Sequence, residues 1–306
     1  MIEPSTFEVP EDFAAFWQEA AEEARLVPLD FKRSRHSDFP LPGFTVERIG
    51  FRSVGGSVVS GWFAMPENVK RAPGFVWVPP YGRESLLPNQ YGTRAGFASL
   101  SFNLHGEDAF HQEKYHPGRG YMASGLEHPH SSVFRRMLQH VLVGIRVLQA
   151  QLEVDEDNIF TMGMSQGAGL SIWAGAWSPI VRAVAADMPF FGNIRSQLTG
   201  NVYRYPLKEL RDFMDTHPLG TEVANHTLGY LDTATHASFC NKPTLVSFGT
   251  KDPSVKEEHA RAIFEALPGQ KELIRYEWGH DWHPEMVENN AQWLAKHAAG
   301  TSIRNI

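Results

Sequence analysis

The sequence predicts an α/β protein: a mostly parallel central sheet with helices on both faces and a small helical cap inserted late in the chain. Three observations carry that prediction. From residue 74 onward, short apolar runs rich in β-formers alternate with segments whose apolar residues recur at helical spacing. Residues 44–65 instead alternate and carry Gly at turns, the signature of antiparallel strands. Between residues 190 and 241 lie about fifty residues separating two strands, too many for an ordinary connection. At 306 residues, with 42% apolar and 21% charged side chains, the chain has the balance of a folded domain with a large core. No repeat or Pro/Gly linker divides it, so a single domain over 1–306 is expected, with 1–40 as an N-terminal helical extension and 190–241 as the cap-like insertion.

In order, residues 12–24 place Phe13, Phe16, Trp17 and Ala20 on one helical face. The segment from Phe44 to Met65 reads as two or three meander strands at a sheet edge, stopped by Pro66. The runs 74–78 and 97–102 are short and apolar throughout, as strands buried on both faces are. A long helix follows over 133–152, carrying Val141, Leu142, Ile145 and Leu148, and then a strand over 158–162. Helix 170–177, strand 181–186, strand 244–248, helix 260–266, strand 273–276 and helix 284–297 complete the alternation. Within the insertion, Arg204, Tyr205, Pro206, Leu228, Tyr230 and Leu231 are candidates for a pocket wall, although packing is the more ordinary role for such residues.

Composition excludes several classes of function. The formal charge is −7 with Lys and Arg scattered, which disfavours a nucleic-acid partner. One cysteine, Cys240, precludes an internal disulfide and fits a reducing compartment. The first ten residues lack a basic region followed by an apolar run, and no stretch of 18 apolar residues follows, so a cytoplasmic protein without membrane attachment is expected. Of the 14 histidines, five fall at positions 105, 111, 116, 128 and 130, but none makes the His-Glu-x-x-His spacing of metallohydrolases. A solvated loop explains them better than a metal site.

Residues 163–167 read Gly-Met-Ser-Gln-Gly, directly after one predicted strand and directly before a helix. Small residues at both ends permit the sharp turn that lifts a nucleophile clear of a sheet, which makes Ser165 the candidate nucleophile. A serine hydroxyl needs a base, and the base needs a carboxylate to set its tautomer. Downstream, Asp252 follows the strand TLVSFG and His280 follows the strand LIRYEWG, both at the C-terminal ends of strands, where sites on parallel sheets lie. His283 competes for the base role; the Trp-Gly before His280 favours the latter because it permits a tight bend off the strand. The backbone N–H groups of Gln166 and of Tyr81, in Pro79-Pro80-Tyr81-Gly82, are the candidate oxyanion donors. Asp187, with Pro189 and Phe190, is placed at the substrate pocket, and capping of the insertion is the alternative role for Asp187. The order Ser, Asp, His is that of the α/β-hydrolase fold. These residue types imply acyl transfer through a covalent acyl-enzyme, with no cofactor and no metal.

Over nearly its whole length the chain resembles the acetyl xylan esterase and cephalosporin C deacetylase family, carbohydrate esterase family seven. The likeness rests on Asp12-Phe13-Ala14-Ala15-Phe16-Trp17, Gly61-Trp62-Phe63, Tyr81-Gly82, Gly120-Tyr121-Met122, Arg135-Arg136, Val154-Asp155, Met164-Ser165-Gln166-Gly167 and Ala186-Asp187-Met188-Pro189-Phe190. The resemblance implies the same triad and oxyanion residues, a small-molecule substrate that is an acetyl ester of a short sugar or related alcohol, and a homo-oligomer, commonly a hexamer. Two stretches depart from the family. Asn103-Leu104-His105-Gly106-Glu107-Asp108 stands where Asp-Thr-Arg-Gly-Gln-Gly is usual, and Ala123-Ser124 stands where Thr-Arg is usual, so two arginines and their charge-assisted contacts are lost. A longer-chain esterase, a peptidase and a non-catalytic binding protein on the same fold are the competing readings.

Overall fold

The structure, a computed structural model, describes residues 8–35, 40–82, 87–104 and 121–299. Among the described residues nine strands form one sheet. Strands β1 (Phe31–Arg35), β2 (Phe44–Arg52) and β3 (Val58–Pro66) make an antiparallel edge, and β3 pairs antiparallel with β5 (Ala98–Phe102). From there β5, β4 (Ala72–Val78), β6 (Val154–Met164), β7 (Val181–Asp187), β8 (Thr244–Gly249) and β9 (Lys271–Tyr276) run parallel, in the order β1-β2-β3-β5-β4-β6-β7-β8-β9. This is the α/β-hydrolase architecture expected from the alternation of runs.

Every residue of β4, β5 and β8 is buried, which is why those runs are uniformly apolar or small rather than alternating. Successive side chains still point to opposite faces. Val76, Val78, Val184 and Ala186 join a core with helices α1 (Phe13–Leu26), α2 (Val133–Gln149) and α3 (Gln166–Trp177). Phe75, Trp77, Ala183 and Ala185 face the other way and pack against Trp293 and Leu294 of α9 (Pro284–His297). Helix α8 (Glu257–Ala266) packs beside β8.

Helix α1 docks through the residues its periodicity singles out: Phe13, Phe16, Trp17, Ala20 and Ala24 are all buried. Each large apolar side chain contributes about 1.5–3 kcal/mol on burial. Trp17 Nε1 donates to the carbonyl of Tyr230 at 3.0 Å. Arg146 Nη1 donates to the carbonyls of Ala24 and Val27, both at 2.8 Å, and so satisfies acceptors that the helix end leaves open. Arg135 bridges Glu19 and Glu23 with its guanidinium over the Phe16 ring, joining α1 to α2.

Strand β1 lies within the stretch expected to be a helical extension. Its burial pattern has no apolar face. It is held instead by Arg33, which packs over the Phe63 ring and bonds Glu47, Glu153 and Gln151. Those partners are distant in sequence, so periodicity carries no trace of the strand. Between β7 and β8, the residues expected to form a cap contain α4 (Ile194–Gln197), α5 (Leu207–Thr216), α6 (Gly220–Leu228) and α7 (Thr233–Ser238). Among the described residues no helix is long and apolar enough to cross a membrane.

Candidate active site

Strand β6 ends at Met164 and α3 begins at Gln166, so one residue makes the turn. That residue, Ser165, has φ 55° and ψ −117°, a strained conformation for a non-glycine residue. The strain is held by hydrogen bonds on both sides. The Ser165 N–H donates to the carbonyl of Asp187 at 2.9 Å, and the Ser165 carbonyl accepts from Phe190 and Gly169, each at 3.1 Å. Glycine is required at both flanks: a Cβ on Gly167 would lie 1.9 Å from the carbonyl oxygen of Val78, and one on Gly163 would lie 2.8 Å from the same atom. The motif's glycines thus let β4, β6 and α3 approach closely enough to form the elbow.

The loop after β9 brings His280 over this turn, with Nε2 3.0 Å from Ser165 Oγ and Nδ1 2.6 Å from Asp252 Oδ2. Asp252 sits in the turn after β8. Its other oxygen accepts the N–H groups of Ser254 at 2.7 Å and Val255 at 2.9 Å, which fixes the direction of the carboxylate. The Asp252 side chain is fully buried while that of His280 is 22% exposed, so the chain of hydrogen bonds runs from the interior to a serine at the cavity wall. His283, the competing histidine, caps α9: its Nδ1 accepts from Glu285 N–H at 3.3 Å and its ring stacks on Tyr276.

Gln166 opens α3, where the first N–H groups have no partner within the helix and the dipole favours negative charge. Tyr81 follows β4 and lines the same cavity as Ser165. Its ring stacks on Tyr121 with centroids 4.8 Å apart, and its hydroxyl donates to Glu209 of α5. Tyr121 in turn donates through its hydroxyl to Gln166 Oε1 at 2.9 Å and accepts the N–H of Gly82 at 3.1 Å. Burial, reinforced by Tyr81 and Glu209, pushes the Tyr121 phenol well above its ordinary pKa and keeps it a donor.

Above the serine lies a cavity of about 410 Å³, walled by Tyr81, Phe190, most of residues 196–207 between β7 and β8, and most of residues 253–259 after β8. Phe190 lines it; Asp187 and Pro189 do not. Asp187 is instead buried beneath the elbow, its carboxylate accepting from Ser247 Oγ and from Asn290 Nδ2 at 2.8 Å. Burial raises the Asp187 carboxyl, against those two hydrogen bonds and the nearby Arg94, itself lowered by burial to about 10. Both Asp187 carboxylate oxygens are thus taken by side chains of β8 and α9, while the N-terminus of α7 is capped by Asp232. Arg204, Tyr205 and Pro206 line the cavity rather than packing, whereas Leu228, Tyr230 and Leu231 are buried in the core.

Sequence reasoning did not single out Tyr121 or Glu209 as site residues. Glu209 carries no local signal, since its partners Tyr81 and Met122 are 128 and 87 residues away. His105, His111 and His116 lie outside the described residues, as do positions 106–108 of the departing segment. His128 accepts the N–H of His130 and caps the short turn Pro129–Ser131, and His130 pairs with Glu19. Among the described residues no cluster of three or more His, Cys, Asp or Glu could hold a metal ion.

A profile of the acetyl xylan esterase family matches residues 4–297. The chain is similar to the acetyl esterase Axe7A of Xylanibacter ruminicola, 20% identical over 299 residues that cover 94% of this chain and 67% of that protein. In structure it is similar to an acetyl xylan esterase from Paenibacillus sp. R4, with a TM-score of 0.84 and 22% identity over 95% of this chain and 96% of the other. Acetyl xylan esterase 1 from Thermoanaerobacterium sp. superposes with a TM-score of 0.81 and 24% identity over 95% of each chain. These structural likenesses bear on the fold.

Proposed function

The chain belongs to the acetyl xylan esterase family and is a hydrolase of acetyl esters, and from that premise we propose that it works through a Ser165-His280-Asp252 triad and an acetyl-enzyme intermediate. The observation that carries the proposal is the hydrogen-bonded chain from Asp252 through His280 to Ser165, with separations of 2.6 and 3.0 Å. Asp252 accepts the Nδ1–H of His280 and holds the tautomer whose Nε2 lone pair faces the serine hydroxyl. As Ser165 Oγ attacks the ester carbonyl, Nε2 takes its proton; the tetrahedral oxyanion is held by the backbone N–H groups of Tyr81 and Gln166. Collapse expels the alcohol, protonated by His280. Water, deprotonated by the same nitrogen, then releases acetate and restores the serine.

The alcohol occupies the cavity above Ser165. At about 410 Å³ it suits a small molecule. Ser196, Gln197, Thr199, Asn201 and Arg204 on its wall offer hydrogen-bonding groups to a hydroxyl-rich alcohol such as a short sugar. Two measurements test the reading. A fluorophosphonate should add one adduct to the wild-type protein by intact mass and none to Ser165→Ala, and p-nitrophenyl esters of increasing chain length should be cleaved fastest at acetyl. An unlabelled wild-type protein, or activity peaking at eight carbons or more, would overturn it.

A further inference from the structure

We propose that Glu209, a carboxylate of the inserted segment, is a positioning residue for the oxyanion donors, acting through Tyr81 and Tyr121. The inference rests on the reading that the backbone N–H groups of Tyr81 and Gln166 receive the oxyanion. It assigns the insertion a part in the chemistry besides walling the cavity.

Glu209 is 5% exposed, and an ionisable group is costly to bury unless donors meet it. Both of its oxygens are met. Oε1 accepts the Tyr81 hydroxyl and Oε2 accepts the N–H of Met122 at 3.1 Å. Neither partner belongs to the insertion. One lies in the loop after β4 that carries the first oxyanion donor, and the other follows directly on Tyr121. From Tyr81 the contacts continue by ring stacking onto Tyr121, and from the Tyr121 hydroxyl to Gln166 Oε1 at 2.9 Å and from Gly82 N–H at 3.1 Å. Residues 81, 82 and 166 are thereby tied to one assembly whose outer end is Glu209.

The physical need for such a tie follows from where Tyr81 lies. It comes just past the end of β4, after Pro79-Pro80, with its ring half-buried between the cavity and the edge of the core. Proline restrains φ upstream but does not fix the orientation of the next peptide. An oxyanion donor acts only if aimed before the charge develops. Anchoring the ring on one face by Tyr121 and at its tip by Glu209 supplies that aim. Loss of one oxyanion donor costs about 10²–10³ in kcat, and a misplacement of about 1 Å can cost about 10². Loosening the tie, with the donor still present, should cost about 10- to 100-fold.

The test uses the full chain with p-nitrophenyl acetate. Glu209→Leu, which keeps bulk but cannot accept, should lower kcat by that amount while KM changes by less than about threefold. Glu209→Gln should restore most of the lost rate, since its Oε1 can accept Met122 N–H while its Nε2 donates to the Tyr81 oxygen. Affinity for phenyl trifluoromethyl ketone, which forms an oxyanion on the serine, should fall in parallel with kcat/KM. A merely structural role would not move that affinity in a protein that remains folded. Tyr81→Phe, which leaves Glu209 bonded to Met122, should match Glu209→Leu, and the double variant should lose little more. Wild-type kcat in either Glu209→Leu or Tyr81→Phe overturns the inference, as does failure of Glu209→Gln to recover activity; should Glu209→Leu not fold, Tyr81→Phe alone decides. An inactive Ser165→Ala beside active Tyr81→Phe would sink this inference and spare the triad, whereas an active Ser165→Ala would sink the triad itself.

Discussion

Gly167→Ala isolates the geometry on which the site depends, because it adds one methyl group and no charge. That methyl would stand 1.9 Å from the carbonyl oxygen of Val78 and 2.7 Å from its carbonyl carbon, where real contacts essentially never fall below 3.0 Å. Helix α3 and strand β4 must therefore separate by more than 1 Å. Both are buried backbone, so no flexible side chain can absorb the shift. Overpacking of this kind costs about 1–3 kcal/mol. Displacing the elbow by the same distance would stretch the 3.0 Å bond from Ser165 Oγ to His280 Nε2 beyond hydrogen-bonding range. A fall in kcat/KM of about 10² follows. Melting temperature by circular dichroism and kcat/KM for p-nitrophenyl acetate read the two effects separately. Gly50→Ala serves as the control, since its Cβ would meet only the Val59 carbonyl at 3.9 Å; both quantities should stay near wild type. If Gly167→Ala melts within a degree or so of wild type and keeps kcat/KM within about twofold, the close approach of β4 and α3 is not what shapes the elbow.

Asp252→Asn should keep the Ser254 and Val255 caps through its amide oxygen but favour the wrong His280 tautomer, lowering kcat by about 10³–10⁴ with little change in melting; equal activity would place the acid elsewhere. His236 is wholly buried, its ring stacked on Trp173 and its Nδ1 accepting from Trp177, and burial holds its pKa well below 6.5. As pH falls below 6.5 the unfolded chain gains a proton that the folded imidazole refuses, so this group's stabilisation is present above that pH and lost below it. Asp232, raised by burial to about 6, acts with opposite sign below that pH, so the contribution is read as a difference between variants. In His236→Asn, the slope of unfolding free energy against pH between 6.5 and 5.5 should be smaller by up to about 1.4 kcal/mol per pH unit; an unchanged slope in urea titrations would mean that the folded imidazole is protonated.

Sequence reasoning reached the parallel sheet, its antiparallel edge, the three residues of the proposed triad and the helices expected over 133–152, 260–266 and 284–297 because each leaves a local mark. Buried parallel strands are uniformly apolar, amphipathic helices repeat at 3.6 residues, and an elbow needs glycine on both sides of its nucleophile. Strand β1 was not legible, because it is held by Arg33 reaching Glu47, Gln151 and Glu153 rather than by a patterned apolar face. Whether Asp187, Arg204, Tyr205 and Pro206 face a pocket or pack was left open by sequence for a related reason. Residue type does not reveal whether a side chain at a strand end turns under the sheet, as Asp187 does toward Ser247 and Asn290, or whether a loop faces a cavity.

By itself, then, the order of residues determined which elements form and which chemical groups stand at strand ends. Tertiary structure alone decided what those groups meet: that His280 rather than His283 faces Ser165, that residues between β7 and β8 wall a cavity, and that Glu209 reaches Tyr81 across 128 positions. The reason is one of range. Backbone periodicity and turn preferences act over a few residues and are written in sequence, whereas a hydrogen bond acts over about 3 Å of space and takes no account of how much chain separates its ends.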